Sequence, residues 1–296
     1  MTKKAKELPP QMISWALLIL LTLVWGSSFI LIKKGLIVYS SSQVAAIRIF
    51  SASLFMAPFA FSWMRRIDKK YYGLIFISGF IGSFIPAFLF AIAQTQLDSA
   101  ITGMVNSLTP VFVLVIGIIF YKQRLTASIF IGLLLAVVGT IFLMYSSSGS
   151  DQRFNYFALF IVLATIMYGI NVNILKFNLF DLNPIAISSL SIFMIGPFAA
   201  IQLFGFTDFT ERLSSGNTAI LALFYLSMLG IIGTSLALML FNQLIKISTP
   251  LFSSSVTYLI PIVAIMWGLF DGEKLHFSHY LSMGIIIFGV FFANKK

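Results

Sequence analysis

Apolar runs long enough to cross a lipid bilayer follow one another along this chain, separated only by short polar turns. A helix needs about 20 apolar residues to span a hydrocarbon core of roughly 30 Å. Lipid offers no water to backbone amides, so a spanning segment must be a helix or part of a closed barrel. Runs bounded by charge, Gly, Pro or Ser clusters predict helices over residues 12–32, 42–64, 72–95, 99–120, 126–145, 154–175, 183–204, 218–243, 248–270 and 278–294. Ten spans use about two thirds of the 296 residues, which leaves no room for a soluble domain. Only 9% of the residues are charged, against about 25% in soluble proteins.

Two stretches of the chain repeat each other with reversed charge. Residues 99–142 and 250–292 each hold an apolar run with a proline inside it (Pro110, Pro261), a charged turn, and a second apolar run. Leu125 and Gly139 match Leu275 and Gly289. The first turn is basic (Lys122, Arg124), whereas the second holds Asp271 and Glu273 beside Lys274. The likeness extends further. TLVWGSSFILIKK (22–34) resembles TIMYGINVNILKF (165–177), aligning Thr22, Gly26 and Lys33 with Thr165, Gly169 and Lys176. GFIGSF (79–84) resembles GIIGTS (230–235), and FMAPFA (55–60) resembles FMIGPFA (193–199). Five helices per half is an odd number, so the second half enters the membrane upside down. An inverted repeat of this kind points to a transporter. The predicted organisation is a tail over 1–11, a first five-helix repeat over 12–145, a periplasmic linker over 146–153 and an inverted second repeat over 154–294, arranged around a central cavity.

Basic residues set the expected orientation, because Lys and Arg accumulate on the cytoplasmic side. With the N-terminus inside, thirteen of the 19 Lys and Arg fall inside and five outside, and Arg48 lies within a helix. Both termini are therefore expected in the cytoplasm of a multi-pass inner-membrane protein. The basic N-terminus followed by an apolar run without a small-residue cleavage site predicts an uncleaved first helix. The net charge of +10 is scattered over loops, which argues against nucleic acid as a partner. Zero cysteines exclude disulfides, thiolate metal sites and cysteine catalysis.

Polar groups at membrane depth face partners or water, because hydrocarbon leaves them unpaired. Arg48 lies about seven residues into the second run, roughly 10 Å deep by helix rise. It either attracts a substrate carboxylate or phosphate, or snorkels and binds backbone carbonyls. Asn106, Ser107 and Thr109 precede Pro110, and Thr257 and Tyr258 precede Pro261. Proline frees a carbonyl, and these side chains either satisfy it or use the bend to meet substrate. The two prolines are candidate hinges. Trp25, Tyr168 and Tyr258 are candidates for aromatic cavity walls, while Trp15 and Trp63 sit where interfacial belts form. Gln94, Asn171 and Asn242 are candidate hydrogen-bonding groups, either to substrate or between helices.

Absences bear on mechanism. No Asp or Glu lies near the middle of any predicted span. Proton coupling wants a buried carboxylate with a raised pKa, so facilitated diffusion or exchange is expected. There is no phosphate-cradling loop, and His276 with His279 makes no complete metal site, so no cofactor or metal is expected. No GxSxG, HExxH or paired intramembrane aspartates suggest an enzyme. A channel lacks its carbonyl filter or charged ring. A lipid flippase with a Phe-rich lateral cavity stays as the alternative to a metabolite carrier, with an intramembrane enzyme behind it.

Several of these residues together resemble a known family. Trp25-Gly26-Ser27-Ser28, Ala46-Ile47-Arg48-Ile49-Phe50, Asn106-Ser107-Leu108-Thr109-Pro110, and Pro261 followed by Gly272-Glu273-Lys274-Leu275 are similar, in order and spacing, to the EamA-type ten-helix members of the drug/metabolite transporter superfamily. The resemblance implies an inner-membrane carrier that exports or exchanges a small organic metabolite, such as an amino acid or an aromatic compound, by alternating access. It also implies that helices 1–4 and 6–9 surround the cavity while helices 5 and 10 lie at the periphery. Expected partners are a small-molecule substrate and membrane lipid, with the protein a monomer or a weak homodimer. Gln123 departs from the pattern, standing where the family has an acidic residue that Glu273 keeps in the second half. Thr257 stands where Asn106 sits in the first half.

Overall fold

The computed structural model describes residues 10–122, 126–146, 155–254 and 256–293. Most of the tail, the turn residues Gln123 and Arg124 and the linker after residue 146 lie outside the described residues, so the expectations placed there are not addressed by it. Among the described residues every regular element is helical. Eight segments are long and apolar enough to cross a membrane: α1 (Gln11–Leu36), α2 (Ser41–Met64), α3 (Lys69–Ala93), α4 (Ser99–Tyr121), α6 (Ala158–Phe177), α7 (Pro184–Gly205), α8 (Asn217–Ile247) and α9 (Phe252–Phe270). Two more apolar helices, α5 (Ala127–Ser146) and α10 (Phe277–Ala293), complete the order.

Local chemistry fixes the helix ends. Ser40 and Gln43 form a reciprocal cap, each side chain bonding the other's backbone, at the start of α2. Asn183 accepts from the Ile185 amide at 2.8 Å, and Pro184 opens α7, where its missing N–H costs nothing. α1 and α8 run about four residues past their predicted ends of 32 and 243. The added turns carry Lys33, Lys34 and Lys246, charged residues that the apolar-run criterion cut off.

The helices are not uniform rods. α1 breaks at Ser27, and α4 breaks at Ser107 and Leu108. Wide π-helical turns interrupt α3 at Phe80–Phe84 and α8 at Ile231–Leu236, and another, Ile201–Gly205, ends α7 between them. The turns in α3 and α8 fall on the similar stretches GFIGSF and GIIGTS. Such turns loosen the regular hydrogen-bond ladder and are frequent at functional sites.

α2 packs against α7, α1 against α9, and α6 against α4 and α3. α5 and α10 pack chiefly on each other. They meet where Gly139 faces Ile286 and Gly289 faces the Gly132–Ala136 backbone, at distances a β-carbon would reduce below 3 Å. Small residues let lipid-embedded helices approach this closely. Large side chains cover the outside; Phe270 and Phe277 are each 80% exposed, an arrangement suited to lipid and not to water.

Candidate functional site

A cavity of about 100 Å³ lies among α1, α2, α3, α4, α6, α8 and α9. The interrupted parts of the helices build it. Gly82 and Ser83 come from the wide turn of α3, Gly233 and Thr234 from that of α8, and Asn106 and Thr109 flank the break in α4. Where a helix loosens its ladder, backbone and small polar side chains reach the interior without exposing unpaired groups to lipid.

Five of the eight residues singled out from the sequence as substrate-binding line this cavity: Trp25, Arg48, Asn106, Tyr168 and Asn171. Trp25 donates from Nε1 to the Gly233 carbonyl at 2.9 Å and meets Phe241 edge to face. Tyr168 stacks over Phe90 with ring centres 6.0 Å apart. Asn171 accepts from the Ser78 hydroxyl at 2.7 Å and lies against Gly82. Gln94, Asn242 and Tyr258 are not among the lining residues. The side-chain amide of Gln94 is buried with no hydrogen-bond partner among the described residues. Asn242 donates to the Ser188 hydroxyl at 2.7 Å and borders a smaller cleft beside Lys246. Thr257, one residue before Tyr258, lines the cavity instead.

Arg48 is enclosed by the bundle, and it lines the cavity. Its Nε donates to Thr234 Oγ1 at 2.8 Å, and it forms no ion pair among the described residues. On insertion scales a lone arginine at the centre of a membrane helix costs about 3 kcal/mol. A cavity that admits water or an anion relieves that cost. Thr234 was not a candidate from the sequence, because a threonine in an apolar run carries no sign of facing inward. The likeness of GFIGSF to GIIGTS is the available signal, and taken as sequence it supports only the repeat.

The candidate hinges differ. Pro110 sits in the first turn of the second half of α4, just after the break. The carbonyl of Asn106, four residues before the proline, accepts from the Thr109 hydroxyl at 2.8 Å. This is the reading in which a neighbouring side chain satisfies the freed carbonyl. Pro261 lies within the Val256–Phe270 part of α9, and the Thr257 hydroxyl donates to the Ser254 carbonyl at 2.8 Å.

One residue beyond Ile32, which lines the cavity, a charged lock joins three elements. Lys33 Nζ lies 2.8 Å from Glu273 Oε1 and 2.9 Å from Asp271 Oδ2, and Lys34 pairs with Asp271. The Glu273 carboxylate, whose side chain is 1% exposed, also caps α4, accepting from Ser99 N at 2.9 Å, Ser99 Oγ at 2.6 Å and Ala100 N at 3.0 Å. Anions are favoured at a helix N-terminus, where amides lack partners. Burial pushes the Glu273 carboxyl up, but the bonds from Lys33, Ser99 and the two amides outweigh it and hold it below its ordinary value. Lys34 and then Lys33 hold Asp271 below its ordinary value too. The sequence showed Glu273 but not its partner, 240 residues away.

Known proteins match the whole length. The profile of the EamA-like transporter family matches residues 12–145 and 155–295. An uncharacterized transporter of Archaeoglobus fulgidus is 23% identical over 283 residues, covering 95% of this chain and 99% of that protein. The uncharacterized inner membrane transporter YedA of Escherichia coli is 23% identical over 284 residues, covering 91% and 87%. A solved crystal structure superposes with a TM-score of 0.65 over 96% of each chain at 13% identity, a likeness of fold alone.

Proposed function

The chain belongs to the EamA-like transporter family, a family of multi-pass membrane transporters, and from that premise we propose that it is a carrier whose substrate site is the cavity beside Arg48. In this reading all ten helices span an inner membrane as two inverted five-helix repeats, with both termini cytoplasmic. The substrate is a small organic metabolite, an amino acid, an aromatic compound or a similar molecule. Trp25, Arg48, Asn106, Tyr168 and Asn171 contact it, and rocking about Pro110 and Pro261 exposes the site to each side in turn. Gln94, Asn242 and Tyr258 act around this site, not within it. α5 and α10, which pack chiefly on each other, take the peripheral place.

The observation that carries the reading is the position of the cavity. It lies where α3, α4 and α8 lose their regular hydrogen bonding, at once a polar recess in an apolar bundle and the place where the helices bend at least cost. No carboxylate lines it among the described residues, which supports transport down a gradient without strong proton coupling. Uptake of a mixed metabolite pool by purified protein in liposomes, with and without an imposed pH gradient, tests this. The expected result is selective entry to equilibrium, unchanged by the gradient. Gradient-driven concentration would overturn the facilitative mechanism, and no entry of any metabolite would overturn the carrier.

A further inference from the structure

Resting on the reading that this cavity is the substrate site, we propose that the substrate is an organic monoanion with a flat apolar body, selected over zwitterions and cations of the same shape. Among the described residues Arg48 is the one charged side chain that lines the cavity. Its Nε is engaged by Thr234, while the terminal nitrogens of its guanidinium, which carry most of its five N–H donors, have no protein partner among the described residues. An arginine presenting two nitrogens in one plane is shaped to hold a carboxylate through paired hydrogen bonds. The cavity thus holds one positive charge with no ion-pair partner among the described residues, and a ligand of charge minus one neutralises it.

The hydrogen-bonding inventory of the walls points the same way. Asn106 Nδ2, Asn171 Nδ2 and the Tyr168 hydroxyl are donors with no protein acceptor among the described residues. The strong acceptors each already hold one protein donor: the Gly233 carbonyl from Trp25, Asn171 Oδ1 from Ser78, and Thr234 Oγ1 from Arg48 itself. A ligand ammonium would have to share these oxygens with the protein donors already on them, beside a fixed cation. The aromatic faces of Trp25 and Tyr168 attract cations, but in a low-dielectric recess like-charge repulsion from Arg48 exceeds that attraction. The same rings, with Phe29, Phe90 and Phe241, form the apolar walls for a planar body.

A charge series on one body tests this. Binding of phenylacetate, phenylacetamide, phenylalanine and phenethylamine to purified protein in lipid nanodiscs is measured by titration calorimetry at neutral pH. Phenylacetate is expected to bind about tenfold more tightly than phenylacetamide and phenylalanine, with phenethylamine weakest, since one charge-assisted paired contact is worth on that order. In Arg48→Gln the ratio of phenylacetate to phenylacetamide affinity is expected to fall to about one. Equal or tighter binding of phenylalanine or phenethylamine overturns the proposal, as does an anion preference that survives in Arg48→Gln, or no binding of any of the four. The wild-type series decides without the variant if Arg48→Gln fails to fold. Failure here leaves the carrier standing if the liposomes take up any metabolite from the mixed pool; without such uptake the carrier itself fails.

Discussion

Lys33 and Lys176 stand at matching positions of two similar stretches, yet they meet opposite chemistry. Lys33, near the end of α1, binds the carboxylates of Asp271 and Glu273, and Glu273 in turn caps α4. Lys176, near the end of α6, donates to the carbonyls of Ile245 and Ser248 at 2.9 and 2.6 Å, at the C-terminus of α8. Both lysines tie one helix to the end of another, but one tie is ionic and shared among three elements, the other neutral and shared between two. A buried, multiply hydrogen-bonded carboxylate is costly to strip of a partner, whereas a lysine on helix-end carbonyls contributes about 1 kcal/mol. Two ends built from similar sequence are thus held with unequal strength, and the Lys33 end is the tighter.

Removing the carboxylate should have the largest effect. Glu273→Gln leaves Lys33 with Asp271 alone and weakens the α4 cap, at a cost of about 3 kcal/mol, read as a lowered unfolding midpoint in detergent. A fall equal to that of Lys176→Met would erase the comparison. Gly268→Ala tests the geometry without touching charge, since a β-carbon there would sit 2.4 Å from Glu273 Oε2. Displacing the carboxylate should cost about 2 kcal/mol, and no loss would show that the lock has slack. Lys176→Met should cost only about 1 kcal/mol, checked in the same melting experiment.

Acid should separate the two ends as well. Asp271 and Glu273 both have folded pKa values below their ordinary ones. Their stabilisation is complete above the unfolded carboxylate pKa of about 4 and is lost as pH falls through the lower folded values. The wild-type melting midpoint should therefore drop below about pH 4 more steeply than that of Glu273→Gln. Parallel curves would remove the carboxylates from the account.

The apolar runs were legible because lipid demands them. Residues 99–120 became Ser99–Tyr121, and 42–64 became Ser41–Met64. Which side each helix turns inward was not legible. A helix in lipid is apolar all round, so hydrophobic periodicity carries little facing information. Asn171 and Asn242 are equally polar, yet only Asn171 reaches the cavity. Arg48 was legible because a charge at that depth demands a reason, but Thr234 was not, since its placement depends on a wide turn that apolar composition does not encode. The Lys33–Glu273 pair depends on the approach of α1 to the distant loop after α9, which neither local sequence predicts.

Access to the cavity tests the central claim most directly. The chain has no cysteine, so Ser83→Cys introduces one thiol into the cavity wall, and its labelling by a membrane-impermeant reagent can be compared in right-side-out and inverted vesicles. The account predicts labelling mainly from the face opposite the Lys33 lock. Adding Glu273→Gln should raise labelling from the lock's own face severalfold. Equal labelling from both faces in the parent, unchanged by Glu273→Gln, would contradict a cavity closed on the Lys33 side by that lock.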